Sequence, residues 1–178
     1  PSHIIETPFD GRATEGEAAK GDSYILETVV RDTTSVSQDD PETTTIDCET
    51  SDSPIDEVTK LGKYQFSSEV ADMQKQLVIA LMGWKASTDG NKIFAPSSYV
   101  EKYVQIDVVF KNGKTEQGAD KYVAFTIPRL KLNSKVMLES MNSNLSRINI
   151  AGTGFDWTVQ NEKTPFYFDT EFTLPTAG

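Results

Sequence analysis

The chain has 178 residues, 37% of them hydrophobic, which is room for one domain with a core. Its longest apolar run, Leu77 to Met82, is far too short to span a bilayer as a helix. Seventeen basic and 27 acidic side chains give a net charge of −10. That balance excludes a general binder of phosphate backbones, which needs basic groups to displace counterions. One cysteine (Cys48) and one histidine (His3) exclude an internal disulfide, a zinc site built on Cys and His, and any triad that needs a core histidine.

Pro1 to Glu6 has neither a basic n-region nor an apolar h-region, so a secretory leader is not expected there. Residues 1–60 hold 15 acids and 4 bases, net −11, and residues 61–178 hold 12 and 13, net +1. The excess acid is therefore confined to the first third. Residues 1–40 combine acid, Ser/Thr and Gly with little periodic apolar pattern, and read as an extended acidic amino-terminal arm. Ile4, Ile5 and Phe9 are its candidate anchors on a neighbouring subunit. Tyr24 to Arg31 reads as a weak strand, apolar on both faces. The Ser/Thr-rich stretch around Asp39-Asp40-Pro41-Glu42 reads as a solvated acidic loop. It lacks the Asp-x-Asp-x-Asp-Gly spacing of a calcium loop.

From residue 41 to 178 period-two alternation dominates. Ile46 and Cys48 are expected on an inward face, then Tyr64, Phe66 and Val70. A helix over residues 72–82 follows, capped by Asp72 and stopped by Gly83. Its sheet-facing stripe is expected to be Met73, Leu77, Ala80, Leu81 and Trp84. Val78, Ile79 and Met82 fall off that stripe and are candidates for a subunit contact. Val104, Ile106, Val108 and Phe110 form the next inward row, ending at Asn112-Gly113, a strong hairpin-turn signal. Segment 102–110 is expected to pair with 121–129 through a longer polar hairpin end. Lys111 and Lys114 flank that Asn-Gly pair and are candidates for a contact between rings of subunits.

Pro128 should close a strand or lie on an edge, since it has no N–H to donate. Ile148 and Ile150, then Phe155, Trp157 and Val159, then Phe166, Phe168 and Phe172 continue the alternation. Gly152-Thr153-Gly154 reads as a strand end or bulge rather than a phosphate cradle. The expected fold is mainly β, an antiparallel sandwich or barrel of about eight strands with one flanking helix. No catalytic motif, metal-ligand spacing or cofactor fingerprint is present, so no catalytic, cofactor or metal site is expected and the chain reads as a non-enzyme.

The order of elements resembles the tail tube (major tail) proteins of long-tailed bacteriophages. An alternating strand, Lys63 to Val70, feeds an apolar helix ending Ala80-Leu81-Met82-Gly83-Trp84. Then come Phe125-Thr126-Ile127-Pro128-Arg129 and Arg147-Ile148-Asn149-Ile150-Ala151-Gly152-Thr153-Gly154. The resemblance covers about residues 40–155, and a fold likeness does not by itself fix a function. It implies a structural virion protein, made in the host bacterial cytoplasm, whose subunits form stacked hexameric rings. The implied partners are further copies of itself, other tail proteins, and DNA that passes through the lumen without tight binding; no membrane and no cofactor is implied. A tail terminator, the inner tube of a contractile injection device, and a carbohydrate-binding or adhesin β-sandwich module are the alternatives.

Overall fold

The computed structural model describes residues 3–8, 24–26, 29–46, 56–71, 75–98, 100–133, 135–137 and 147–174. Strands β1 (His3–Pro8), β2 (Tyr24–Leu26), β3 (Ser35–Gln38), β4 (Glu42–Ile46), β5 (Asp56–Lys60) and β6 (Tyr64–Val70) precede helix α1 (Lys75–Met82). Two short strands, β7 (Lys85–Ala86) and β8 (Ile93–Phe94), lead to the long pair β9 (Tyr103–Lys114) and β10 (Asp120–Leu132). Then come β11 (Lys135–Met137), β12 (Arg147–Gly154), β13 (Trp157–Val159), β14 (Glu162–Thr164) and β15 (Tyr167–Phe172).

The main sheet is antiparallel in the order β2-β1-β9-β10-β12-β6-β3, with β11 on β12 and β15 on β10. Three residues beyond β2, Val29 bridges Val70 of β6, and the Val30 amide donates to the Glu69 carbonyl at 2.8 Å. That closure brings opposite ends of the sheet together, so it rolls into a barrel. Inside lie Leu26, Phe66, Val70, Val104, Ile106, Val108, Ile127, Leu130, Leu132, Ile148 and Ile150, closed by Val78 and Leu81 of α1. The mainly β reading with one flanking helix is what the chain adopts.

The amino-terminal reading needs correction. β1 is not an arm laid on a neighbour: it is an inner strand, paired with β2 on one side and with β9 over six residues on the other. Ile4 stands in register with Leu26 and Val108, and Ile5 with Ile25 and Asp107. β1, β2 and β3 all belong to the barrel sheet, so residue 40 is not a domain boundary. Long-range pairing with β9 supplies the ladder that local composition could not foretell. Phe9 lies outside the described residues.

Pro128 also sits where the sequence rule did not place it, inside the long strand β10. β10 pairs with β15 over residues 122–126 and with β12 over 130–132, and its register on β9 slips between Ile127 and Leu130. A residue without an N–H is tolerated at that change of partner, where the bulge leaves a ladder position unused. The extra residue also shifts the inward parity, so that Ile127 before it and Leu130 and Leu132 after it all face the core. Gly152, opposite this corner, is a matter of space. A Cβ there would come within 2.5 Å of the Lys131 carbonyl oxygen.

Candidate functional site

Between β3 and β6 the chain leaves the barrel and returns. β4 and β5 pair only with each other. Gln38 faces Tyr64 and Glu42 faces Lys60, four residues further on along both strands. The register is therefore that of one continuous hairpin, and the Asp39 amide carries the ladder through the joint by donating to the Lys63 carbonyl at 2.9 Å. Gly62 is needed at the joint because a Cβ would strike the Asp39 carbonyl. From Gln38 to Ile46 this ribbon runs about 25 Å beyond the sheet at the usual rise per residue.

Every described side chain of β4 and β5 is exposed. Ile46, expected inward, is 47% exposed, as are Val58 near it at 43% and Leu61 at the ribbon's root at 79%. The physical reason is that alternation in a two-stranded ribbon sorts side chains to two faces but supplies no layer to cover either one. Cys48 lies outside the described residues. Asp39, Asp40, Glu42 and Glu57 make the ribbon acidic against Lys60 and Lys63.

At the ribbon's root the barrel interior opens to the surface in a cavity of 630 Å³. Val36 and Tyr64 line it on the ribbon side, Val108 and Phe110 from β9, Phe125 from β10, and Phe166 and Phe168 beside and within β15. The rings form a connected cluster: Tyr64 to Phe166 at 5.0 Å, Phe125 to Phe166 at 5.1 Å and Phe125 to Phe168 at 5.2 Å between centroids. Phe110 is 43% exposed and Phe168 62%. Both were expected inward. They continue an inward row past the end of the packed core, so their faces reach water.

The other interface candidates separate. Val78 is 1% exposed within the core cluster, which removes it from any external contact. Val78 and Leu81 form the inward pair of α1, with Met82 packed partly against the same core. Of the expected stripe Leu81 is buried and Trp84 packs against the same core, so Val78 and Met82 join that stripe and the helix is covered over a wider arc than the spacing suggested. Ile79 is half-buried. The helix stops as expected, with Gly83 at φ 68°. The side chains of Leu77 and Ala80, and all of Met73, lie outside the described set.

The pairing of 102–110 with 121–129 is as expected, but the turn is not at Asn112-Gly113. β9 continues through both residues, with Gly113 at φ 83°, and the chain reverses at Thr115–Gly118. Lys111 is engaged within its own hairpin, its Nζ 2.7 Å from Asp120. The bonded lysine holds the Asp120 carboxyl below the usual range. Lys114 is exposed, in register with Asp120.

On the outer face, the Arg129 guanidinium lies between two rings, 4.5 Å from the Tyr103 centroid and 4.9 Å from that of Trp157. The Tyr103 hydroxyl donates to Glu101, which also pairs with Lys131 at 3.1 Å. The hydroxyl bond, aided by Lys131, keeps the Glu101 carboxyl below its usual range. Trp157 is 6% exposed, so it serves this packing rather than a sugar platform. Among the described residues no group of His, Cys, Asp and Glu is placed to hold a metal ion.

No protein-family model matches the chain, and no curated protein matches it. Among solved structures the fold is similar to a chain from the six-fold symmetrised baseplate of the anti-feeding prophage, with 6% identity over 94% of this chain and 93% of that one and a TM-score of 0.36. It is also similar to an Hcp protein, with 10% identity over 96% of this chain and 99% of that one and a TM-score of 0.33.

Proposed function

We propose that the protein is a structural subunit of a phage-type tail tube, joining copies of itself into stacked, hexameric rings around a channel for DNA. The observation that supports this most is the presence of two unlike, uncovered surfaces on one chain. One is the acidic ribbon β4–β5 with Ile46 and Val58; the other is the aromatic opening with Phe110 and Phe168. A two-stranded ribbon in water is marginal by itself. Different surfaces that fit each other make head-to-tail contacts, and these close into rings or grow into tubes. The net charge of −10 has the sign a DNA conduit needs, because a passing polyanion then slides without adhering. No catalytic step is part of this reading.

The aromatic opening provides the test. Phe110→Asp and Phe168→Asp place a charge on an already exposed edge, so each variant should fold with a normal far-ultraviolet spectrum. In a contact between copies, however, an unpaired buried charge costs about 2–5 kcal/mol. Sedimentation velocity should therefore show the variants as single chains at concentrations where the wild type assembles. Variants that assemble as the wild type does would remove the opening from the contact.

A further inference from the structure

On the outer face of the barrel, behind the aromatic opening, sits a carboxylate that the assembly reading does not use. Asp107 in the middle of β9 is 3% exposed. Its Oδ1 accepts a hydrogen bond from the Thr126 hydroxyl at 2.6 Å, and its Oδ2 accepts from the Gln105 amide at 3.2 Å. Among the described residues no cation forms an ion pair with it. Both bonds come from neutral donors, which leaves a charged form poorly compensated in a nearly dry seam.

The seam is closed by the carboxy-terminal strand. Thr126 is in register with Tyr167 and Ala124 with Asp169 on β15. The Tyr167 phenol meets the Thr126 hydroxyl, and Asp169 places a second carboxyl near Asp107. Among the described residues β15 pairs with β10 alone, across a register shift between Tyr122 and Ala124. On the side of β1, Ile5 is in register with Asp107, and His3 and Glu6 are the titratable residues of that strand.

We propose that Asp107 is a proton-controlled latch on β15: uncharged, it lets the strand lie on β10; charged, it works the strand loose. Unseating β15 would hydrate Asp107 and separate it from Asp169. Since β15 carries Phe168 into the aromatic opening, the latch also sets the shape of that opening. The inference rests on the seam alone and holds whether or not the chain assembles.

The sign follows from proton linkage. Burial, with a smaller contribution from Asp169, raises the Asp107 pKa above the ordinary carboxylate value, against the two hydrogen bonds. The seated strand therefore binds the proton more tightly than the unseated one. Seating is strongest below the ordinary carboxylate range and weakens as pH rises from there through the raised pKa.

Hydrogen exchange on the whole chain reads this directly, with rates corrected for intrinsic pH dependence. Protection of the Tyr167–Phe172 amides should fall about threefold or more between roughly pH 4 and pH 8, while that of Arg147–Gly154 stays level. Asp107→Asn, which keeps the shape and cannot ionise, should hold β15 protection high and flat. Asp169→Asn should move the midpoint to lower pH, and His3→Gln should leave it in place. A flat wild-type profile, a fall in Asp107→Asn equal to that of the wild type, or a midpoint unmoved by Asp169→Asn would each overturn the latch. A midpoint that follows His3→Gln would assign the effect to the histidine instead.

Discussion

Replacing residues 40–62 by Asn-Gly should leave a folded chain that has lost assembly altogether. The unbroken register makes this possible. Asp39 and Lys63 already oppose each other through the amide-to-carbonyl bond at 2.9 Å, which is the spacing a two-residue turn closes. Among the described residues no side chain of the barrel core comes from the removed segment, and the buried cluster resumes at Phe66. Thermal unfolding should therefore stay within a few degrees of the wild type, about the shift that 1 kcal/mol produces in a domain of this size. Assembly should vanish, because the deletion removes one of the two unlike surfaces that a head-to-tail contact requires. A shortened chain that still polymerised would show that the ribbon is an ornament of the fold.

Helix α1 provides the second large effect. Val78→Asp should unfold the protein, whereas Ile79→Asp, one residue along, should leave it folded. Val78 is 1% exposed and packs with Leu81 under the barrel. A lone carboxylate there costs about 3–5 kcal/mol, a large part of the 5–15 kcal/mol that holds a typical domain together. Ile79 is half-buried, so its replacement can turn towards water. Circular dichroism melts of the two variants decide the matter. Equal destabilisation would mean that the helix is enclosed on both faces. If Ile79→Asp folds yet fails to assemble, α1 joins the ribbon and the aromatic opening as a contact surface.

How much of this was legible in the sequence depended on whether a segment's partner was nearby. β6, β9 and β12 each carry an apolar row between two flanking strands, and their inward residues are those that alternation names; in β10 alternation holds only to Ile127, because the bulge beyond it turns Leu130 and Leu132 inward. β1 has no alternating row, and its ladder comes from β9, about a hundred residues away. With only Ile4 and Ile5 to go on, an arm was the natural reading. Ile46 fails for the opposite reason, because the alternation is there and the covering layer is not. Asn112-Gly113 misled because a left-handed glycine serves a bulge near the end of a long hairpin as well as it serves the turn. The reversal itself is made at Thr115–Gly118. The tight turn between β13 and β14 uses Gln160 and Asn161 at φ 50° and 68°. Only Asn161 is a residue type that advertises such a conformation.

The aromatic opening was half legible. Tyr64, Phe110, Phe166 and Phe168 all fall on the alternating inward rows, and most of the cluster is inward. What alternation could not supply is the length of the core, and Phe110 and Phe168 lie just past its end. Alternation places Asp107, between the inward Ile106 and Val108, on the outward face. It does face outward, and yet it is buried, because β15 and β10 close over that side of the sheet. A strand's second face is decided by elements that its own pattern does not contain.

Copies of this chain are proposed to join through unlike surfaces into rings that stack. Negative-stain electron microscopy of the concentrated wild-type protein tests it most directly. Rings with an open centre are expected, passing into tubes of uniform width as concentration rises. Rings that never stack would point to a terminator-like part and contradict the tube. Single chains at every concentration would contradict the assembly claim itself.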